Sequence, residues 1–294
     1  MELRVLKYFL MVAREESVTK AANLLHITQP TLSRQLMQLE EELGVKLFIR
    51  NKKHILLTEE GMLLRRRAEE IVTLSEKTRE ELSHSKEDLS GKINIGSGEL
   101  RTSLFLAELI ISFKKLHPLV EFEIYSGNAD NIKERIESGI LDIGLLQEPV
   151  DISKYDFMRT PFKEHWGLLI NEDSHLAKKE TISPSDVKGL PLILPQRTLV
   201  KNEFTSWLGE YADEASFILT GNLLYNLAMV AKAGNVGVIT PILECNYPGL
   251  KYIPLHPEVT SGTVLAWKKI QVFSPAVSAF LDYSRSYISG MNTD

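Results

Sequence analysis

Between positions 29 and 38 the chain places Gln29, Thr31, Ser33, Arg34, Gln35 and Gln38. Glutamine and arginine side chains can make paired hydrogen bonds to the edges of adenine and guanine, and hydroxyls reach base edges or phosphates. Among these polar residues Leu32, Leu36, Leu39 and Leu43 recur at spacings of four, three and four, the apolar stripe of a helix that faces a core. The hydrogen-bonding set therefore occupies the opposite, solvent-facing side. Arg50, Lys52 and Lys53 follow and are available to phosphates.

Two short helices and a turn are needed to present such a face. Ser17 can cap a helix from about Val18 to Leu25, in which Ala21 and Ala22 let a crossing helix approach closely. His26 and Ile27 fill the turn. Thr28 is placed as the N-cap of the second helix, with Pro30 in its first turn where a missing N–H costs little, and Gly44 ends it. A first helix, about Leu3 to Arg14, packs Leu6, Phe9 or Leu10, and Ala13 behind the pair. From Val45 to Thr58 two short apolar strands flank Asn51 to His54, a basic hairpin wing. The expectation is a winged helix-turn-helix with double-stranded DNA as partner, bases read by Gln29, Pro30, Thr31, Ser33 and Arg34 beside Thr28, and phosphates held by Arg50, Lys52 and Lys53. Glu40-Glu41-Glu42 reads as a solvated helix face.

At these residues the sequence resembles the N-terminal domain of LysR-type transcriptional regulators. The matching pattern is Phe9, Ser17, Ala21-Ala22, Leu24 or Leu25, Gln29-Pro30, Leu32-Ser33, Leu39-Glu40, Leu43-Gly44, Leu47-Phe48, Arg50, Leu57-Thr58 and Gly61. Departures are small: Glu16 and Val18 flank Ser17 where Gly and Phe are usual, and Glu60 replaces a small residue. The resemblance continues more loosely to the C-terminus and assigns base reading to the same positions.

Charge divides along the chain. Residues 1–67 hold 12 Lys+Arg and 8 Asp+Glu, against 22 and 31 in the remainder, so a basic head precedes an acidic body within a net charge of −5. Thr58 can cap a further helix, with Gly61 tolerated in its first turn. On it Leu64, Ala68, Ile71, Ser75, Thr78, Leu82, Ser85 and Leu89 alternate four and three, a heptad seam suited to pairing with a second copy. The domains expected are a winged helix-turn-helix over residues 1–58, a linker helix for dimerisation over 59–90, and an α/β body over 91–294. A homodimer or homotetramer follows.

After Gly91 strands and helices alternate, as in right-handed βαβ units of a mostly parallel sheet. Two similar halves are expected, about 91–161 with 267–294 and about 162–266, joined by crossing segments near Thr160-Pro161 and Ala266-Trp267. They resemble a two-subdomain, periplasmic-binding-protein-like effector domain. Strand ends that face each other across two such halves form a ligand crevice. Ser97, Gly98, Thr102, Gln147, Gln196, Arg197 and Thr240 are the expected lining, partly by position in the resembled fold. Helix starts near Thr102 and Leu199, with Arg197 beside them, favour a small anionic effector, although Glu99 could fill the first helix start itself.

No catalytic set stands out. The seven His are scattered, the single Cys245 has no pairing partner, and neither His-Glu-x-x-His nor Gly-x-Ser-x-Gly occurs. Gly96-Ser97-Gly98 is not a dinucleotide fingerprint, because Arg101 stands where the third Gly should be. No cofactor, metal or membrane partner is expected. The absence of an export signal and of a long apolar run, with one cysteine, suits the cytoplasm. Competing readings are an enzyme or solute carrier with an appended DNA-binding head, and a constitutive DNA-binding protein whose cleft is closed by side chains.

Overall fold

The computed structural model describes residues 1–50, 55–83 and 89–291, in two compact units, Met1–His84 and Ser85–Asp294. The first unit runs α1 (Leu3–Glu15), α2 (Val18–Leu24), α3 (Gln29–Leu43), β1 (Phe48–Arg50), β2 (Ile55–Leu57) and α4 (Glu59–Ser83). Leu6, Phe9 and Val12 of α1 meet Ala21, Ala22, Leu32, Leu36 and Leu39 in one apolar cluster. Burying each of the large side chains contributes about 1.5–3 kcal/mol before entropy is counted. The Ser17 hydroxyl accepts from the Lys20 N–H, and Gly44 closes α3 at φ 70°, a left-handed conformation that glycine adopts without strain. The buried stripe on α3 is three leucines long, because Leu43 is exposed.

β1 and β2 pair antiparallel, Phe48 opposite Leu57 and Arg50 opposite Ile55. The Thr58 hydroxyl donates to the Lys46 carbonyl at 2.7 Å and accepts from the Gly61 N–H at 2.9 Å. Gly61 is required, not merely tolerated: a Cβ there would lie 2.2 Å from the Leu47 carbonyl oxygen.

The heptad seam is only partly free for a second copy. Ala68 is fully buried and Leu64 and Val72 half-buried against the helical core, while Lys7 pairs with Glu76 at 2.5 Å. The first two seam positions, Leu64 and Ala68, thus pack within their own unit. Leu89 is not on the helix; it is non-helical and packs against the core of the body. Ser85 and the side chain of Leu82 lie outside the described residues. Among the described residues, the large apolar side chains that α4 leaves exposed are Met62, Leu63, Ile71 and Leu74.

The body begins β3 (Gly91–Ser97), α5 (Ser103–Leu116), β4 (Val120–Ser126), α6 (Ala129–Glu137), β5 (Ile143–Gln147) and β6 (Tyr155–Asn171). It continues β7 (Pro191–Pro195), α7 (Thr198–Leu208), β8 (Ser216–Gly221), α8 (Leu224–Ala233), β9 (Gly237–Pro241), β10 (Leu250–Pro254), β11 (Thr260–Lys268) and α9 (Pro275–Met291). Strand order is β4-β3-β5-β11-β6-β9-β7-β8, with β10 also on β6. β3 pairs parallel with β4 and β5, and β7 parallel with β8 and β9. Each half therefore owns a short parallel sheet with helices over its faces. Phe280, Leu281 and Ile288 return α9 to the first half, on the core that holds Phe105, Leu109 and Phe113.

The crossing segments are strands, not loops. β6, 17 residues long, and β11 pair antiparallel through both halves. Register breaks between Gly262 and Val264, where Thr263 stands opposite the stretch from Thr160 to Phe162. Pro161, which has no N–H to give the ladder, falls in that break.

Candidate functional site

α3 enters with its first turn bare. Thr28, Gln29, Pro30, Thr31 and Arg34 are exposed and Ser33 half-buried, while Leu32, Leu36 and Leu39 anchor the other side. The Thr28 hydroxyl accepts from the Thr31 N–H and lies 2.8 Å from the Thr31 hydroxyl. Gln29 Nε2 donates to Ser33 Oγ at 2.8 Å. These contacts hold short side chains in fixed orientations. Arg34 has no hydrogen-bond or ion-pair partner among the described residues. Lys52 and Lys53, and the side chain of Arg50, lie outside the described residues.

Glu40 is not the solvated residue its neighbours suggest. Its Oε1 accepts from the Leu47 and Phe48 N–H groups at 2.8 and 3.3 Å, and its Oε2 pairs with Lys46 at 2.8 Å. Burial alone would raise its carboxyl pKa, but the Lys46 and backbone hydrogen bonds outweigh burial and hold it below the usual value. The carboxylate ties the last half of α3 to the wing's first strand.

In the body the strand ends converge on a cleft that holds about 700 Å³, part of it open to solvent. Gly98, Gln147, Gln196, Arg197 and Thr240 of the expected set line it, with Trp166, Leu145, Val200, Leu227 and Ile239 as its apolar walls. Ser97 and Thr102 do not line it. Both are buried: the Ser97 hydroxyl donates to the Gly98 carbonyl at 2.9 Å, and Thr102 is covered by Glu164 of β6, which is itself fully buried. Its carboxylate accepts from the Arg101 and Thr102 N–H groups at 2.9 Å and from the Thr102 hydroxyl. The start of α5 is therefore filled from within, and it does not aim partial positive charge into the cleft. Thr263 adds a hydrogen bond to Thr102 and lies 2.5 Å from Thr160, which makes a buried polar knot at the register break.

Glu99 fills a different helix start from the one beside it: its carboxylate accepts from the N–H of Leu224, the first residue of α8. Arg197 precedes α7 and reaches across to the first half, donating to the carbonyls of Gln147 at 3.1 Å and Pro149 at 2.6 Å. It is 7% exposed, and burial lowers its pKa against the opposing pull of Asp130, whose Oδ2 lies 3.9 Å away. Gln147 and Trp166 both hydrogen-bond to Ser261 on β11. Asn128 also lines the cleft and caps α6, accepting from the Asp130 and Asn131 N–H groups. The strand-end rule applied to Gly98 would have marked it. Glu164 carries no local signal, because what it caps lies more than sixty residues away in the chain.

Among the described residues no three His, Cys, Asp or Glu cluster as a metal site, and no helix is long and apolar enough to cross a membrane. A winged helix-turn-helix carrying an exposed polar recognition face, joined to a two-lobed α/β body with a cleft, defines a ligand-responsive DNA-binding protein. Residues 3–62 match the family model for bacterial regulatory helix-turn-helix proteins of the lysR family, and residues 86–289 match the LysR substrate binding domain. The chain belongs to the LysR family of transcriptional regulators, DNA-binding proteins with an effector-binding domain. It is 32% identical over 212 residues to the HTH-type transcriptional regulator BsdA of Bacillus subtilis (strain 168), covering 72% of each chain. Its fold is similar to that of CbnR, a LysR family regulator, with a TM-score of 0.75 at 20% identity over 98% of this chain and 99% of the other. Full-length CbnR in complex with its target DNA gives 0.72 at 21% identity, with 97% and 99% covered.

Proposed function

We propose that the chain binds promoter DNA as a homodimer or homotetramer in the cytoplasm. Gln29, Pro30, Thr31, Ser33 and Arg34, beside Thr28, read the major groove, and Arg50, Lys52 and Lys53 hold phosphates. Residues 1–58 form the reading head and 59–90 the linker, whose exposed Leu63, Ile71 and Leu74 meet a second copy. Residues 91–294 carry the effector pocket, lined by Gly98, Gln147, Gln196, Arg197 and Thr240. Ser97 and Thr102 shape that pocket from behind. A small molecule there alters the DNA contacts.

The carrying observation is the start of α3: a bare, hydrogen-bond-ordered polar turn that includes an exposed arginine, backed by three buried leucines. Titrating the purified protein onto DNA upstream of its own coding region, with and without candidate metabolites, tests it. The expected result is nanomolar, salt-dependent binding whose footprint or affinity changes with one metabolite. Binding that ignores sequence at physiological salt would refute the reading.

A further inference from the structure

Two helix starts in the body are each filled by a carboxylate of the chain itself, and the two carboxylates differ in exposure. Glu164, at the start of α5, is fully buried and hydrogen-bonded on both oxygens, so displacing it would leave buried N–H donors without acceptors. Glu99, at the start of α8, is an exposed residue lining the cleft, so its side chain can turn into water at little desolvation cost. Leu224, whose N–H it occupies, lines the same cleft. A second feature of the cleft is incompletely satisfied. The Arg197 guanidinium is 7% exposed, its Nε has no hydrogen-bond partner, and its two hydrogen bonds go to neutral carbonyls. The one carboxylate oxygen within 4 Å of it among the described residues is that of Asp130, at 3.9 Å. A buried cation whose counter-ion, Asp130, stands off at 3.9 Å with no hydrogen bond thus shares a cleft with a helix start held by a replaceable anion.

We propose that Glu99 is an internal competitor of the effector: a small carboxylate ligand enters by displacing the Glu99 side chain from the start of α8 and takes Arg197 as its counter-charge. This rests on the reading of the cleft as the effector pocket. The exchange replaces one carboxylate by another, so the α8 N–H keeps a charged acceptor and the cleft keeps its net charge. Only the fraction of molecules with Glu99 swung out is competent to bind, and the apparent affinity falls by that fraction. Glu99 belongs to the first half of the body and Leu224 to the second. Displacement therefore cuts a direct tie between the halves, beside the Arg101–Glu244 pair at 2.8 Å and the Arg197 bonds, and so turns occupancy into a change in the body.

The test uses full-length, isotope-labelled protein titrated with sodium propionate or with uncharged propionamide, ionic strength being matched with sodium chloride. Glu99→Asp keeps the charge but shortens the reach, and Glu99→Gln removes the charge. Propionate should shift the Leu224 and Gln147 amide resonances in all three proteins, at concentrations lower by at least about fivefold in both variants, with propionamide ineffective. In the wild type the Glu99 carboxyl signal should move to its free-solution position as propionate saturates, a readout that survives if a variant fails to fold. Glu99→Asp titrating within about twofold of wild type, or a Glu99 signal unmoved at saturation, would overturn the competition and leave the pocket standing. Propionamide binding as well as propionate would overturn the anionic class. No perturbation of either amide in any of the three proteins would overturn the pocket itself, and the competition with it.

Discussion

Arg34 and Glu40 sit six positions apart on α3 and do opposite jobs. Arg34 is held by nothing in its own unit among the described residues, so its donors are available to a guanine edge. Arg34→Ala should cost about 1–3 kcal/mol in specific affinity and relax preference at one base pair, whereas Lys53→Ala should weaken all sequences alike and lower the salt slope. Competition titrations against a panel of single-base variants separate the two outcomes. Glu40, by contrast, is consumed internally by Lys46 and two backbone N–H groups. Its pKa is depressed in the folded state, so the stability it adds is present above its unfolded value, about 4.3, and is lost as pH falls through the folded value. Glu40→Gln should therefore speed hydrogen exchange at the Leu47 and Phe48 amides near neutrality by a local opening difference of about 1 kcal/mol. At matched acidic pH the difference between variant and wild type should close. A gap that stays constant as pH falls through the folded value would remove the carboxylate's charge from the explanation.

Among the elements, the junction between wing and linker is set by one close approach. The Leu47 carbonyl lies where a Cβ on residue 61 would have to be, and Thr58 binds the same turn from both sides. Gly61→Ala should destabilise the first unit by about 1–3 kcal/mol through displacement of backbone rather than a flexible side chain. Thermal unfolding of the variant checks this, and an unchanged midpoint would mean that α4 shifts freely. The β6–β11 ribbon is the corresponding feature of the body. Its register break, at the exposed Pro161, collects Thr160, Thr263, Thr102 and the Glu164 carboxylate, a buried polar knot between two apolar cores.

At the scale of the whole molecule, the contact between copies turns on α4. Leu64 and Ala68 are spent on the helical core, so the large apolar side chains left exposed on α4 among the described residues are Met62, Leu63, Ile71 and Leu74. Replacing Ile71 and Leu74 with Asp should give monomers by sedimentation at micromolar concentration. Operator binding should weaken severely, because two half-sites can no longer be held at fixed spacing. A double variant that still sediments as a dimer would place the interface elsewhere.

Local pattern was enough for the elements whose information is local. The caps Ser17 and Thr28, the stop at Gly44, the Leu32-Leu36-Leu39 stripe and the βαβ alternation each depend on neighbours within a turn or two of chain. The reading head and the two-halved body were legible for that reason, whereas Gly98, Gln147, Gln196, Arg197 and Thr240, which line the cleft, were expected there partly by position in the resembled fold. What the sequence could not determine is which charges are already spent. Glu40 looks solvated until the wing folds onto it; Thr102 looks like an open helix start until Glu164 arrives from β6; Glu99 turns from the helix beside it to α8, 125 positions away. A helix N-terminus attracts any carboxylate, and only the tertiary fold decides whether that carboxylate belongs to a ligand or to the chain.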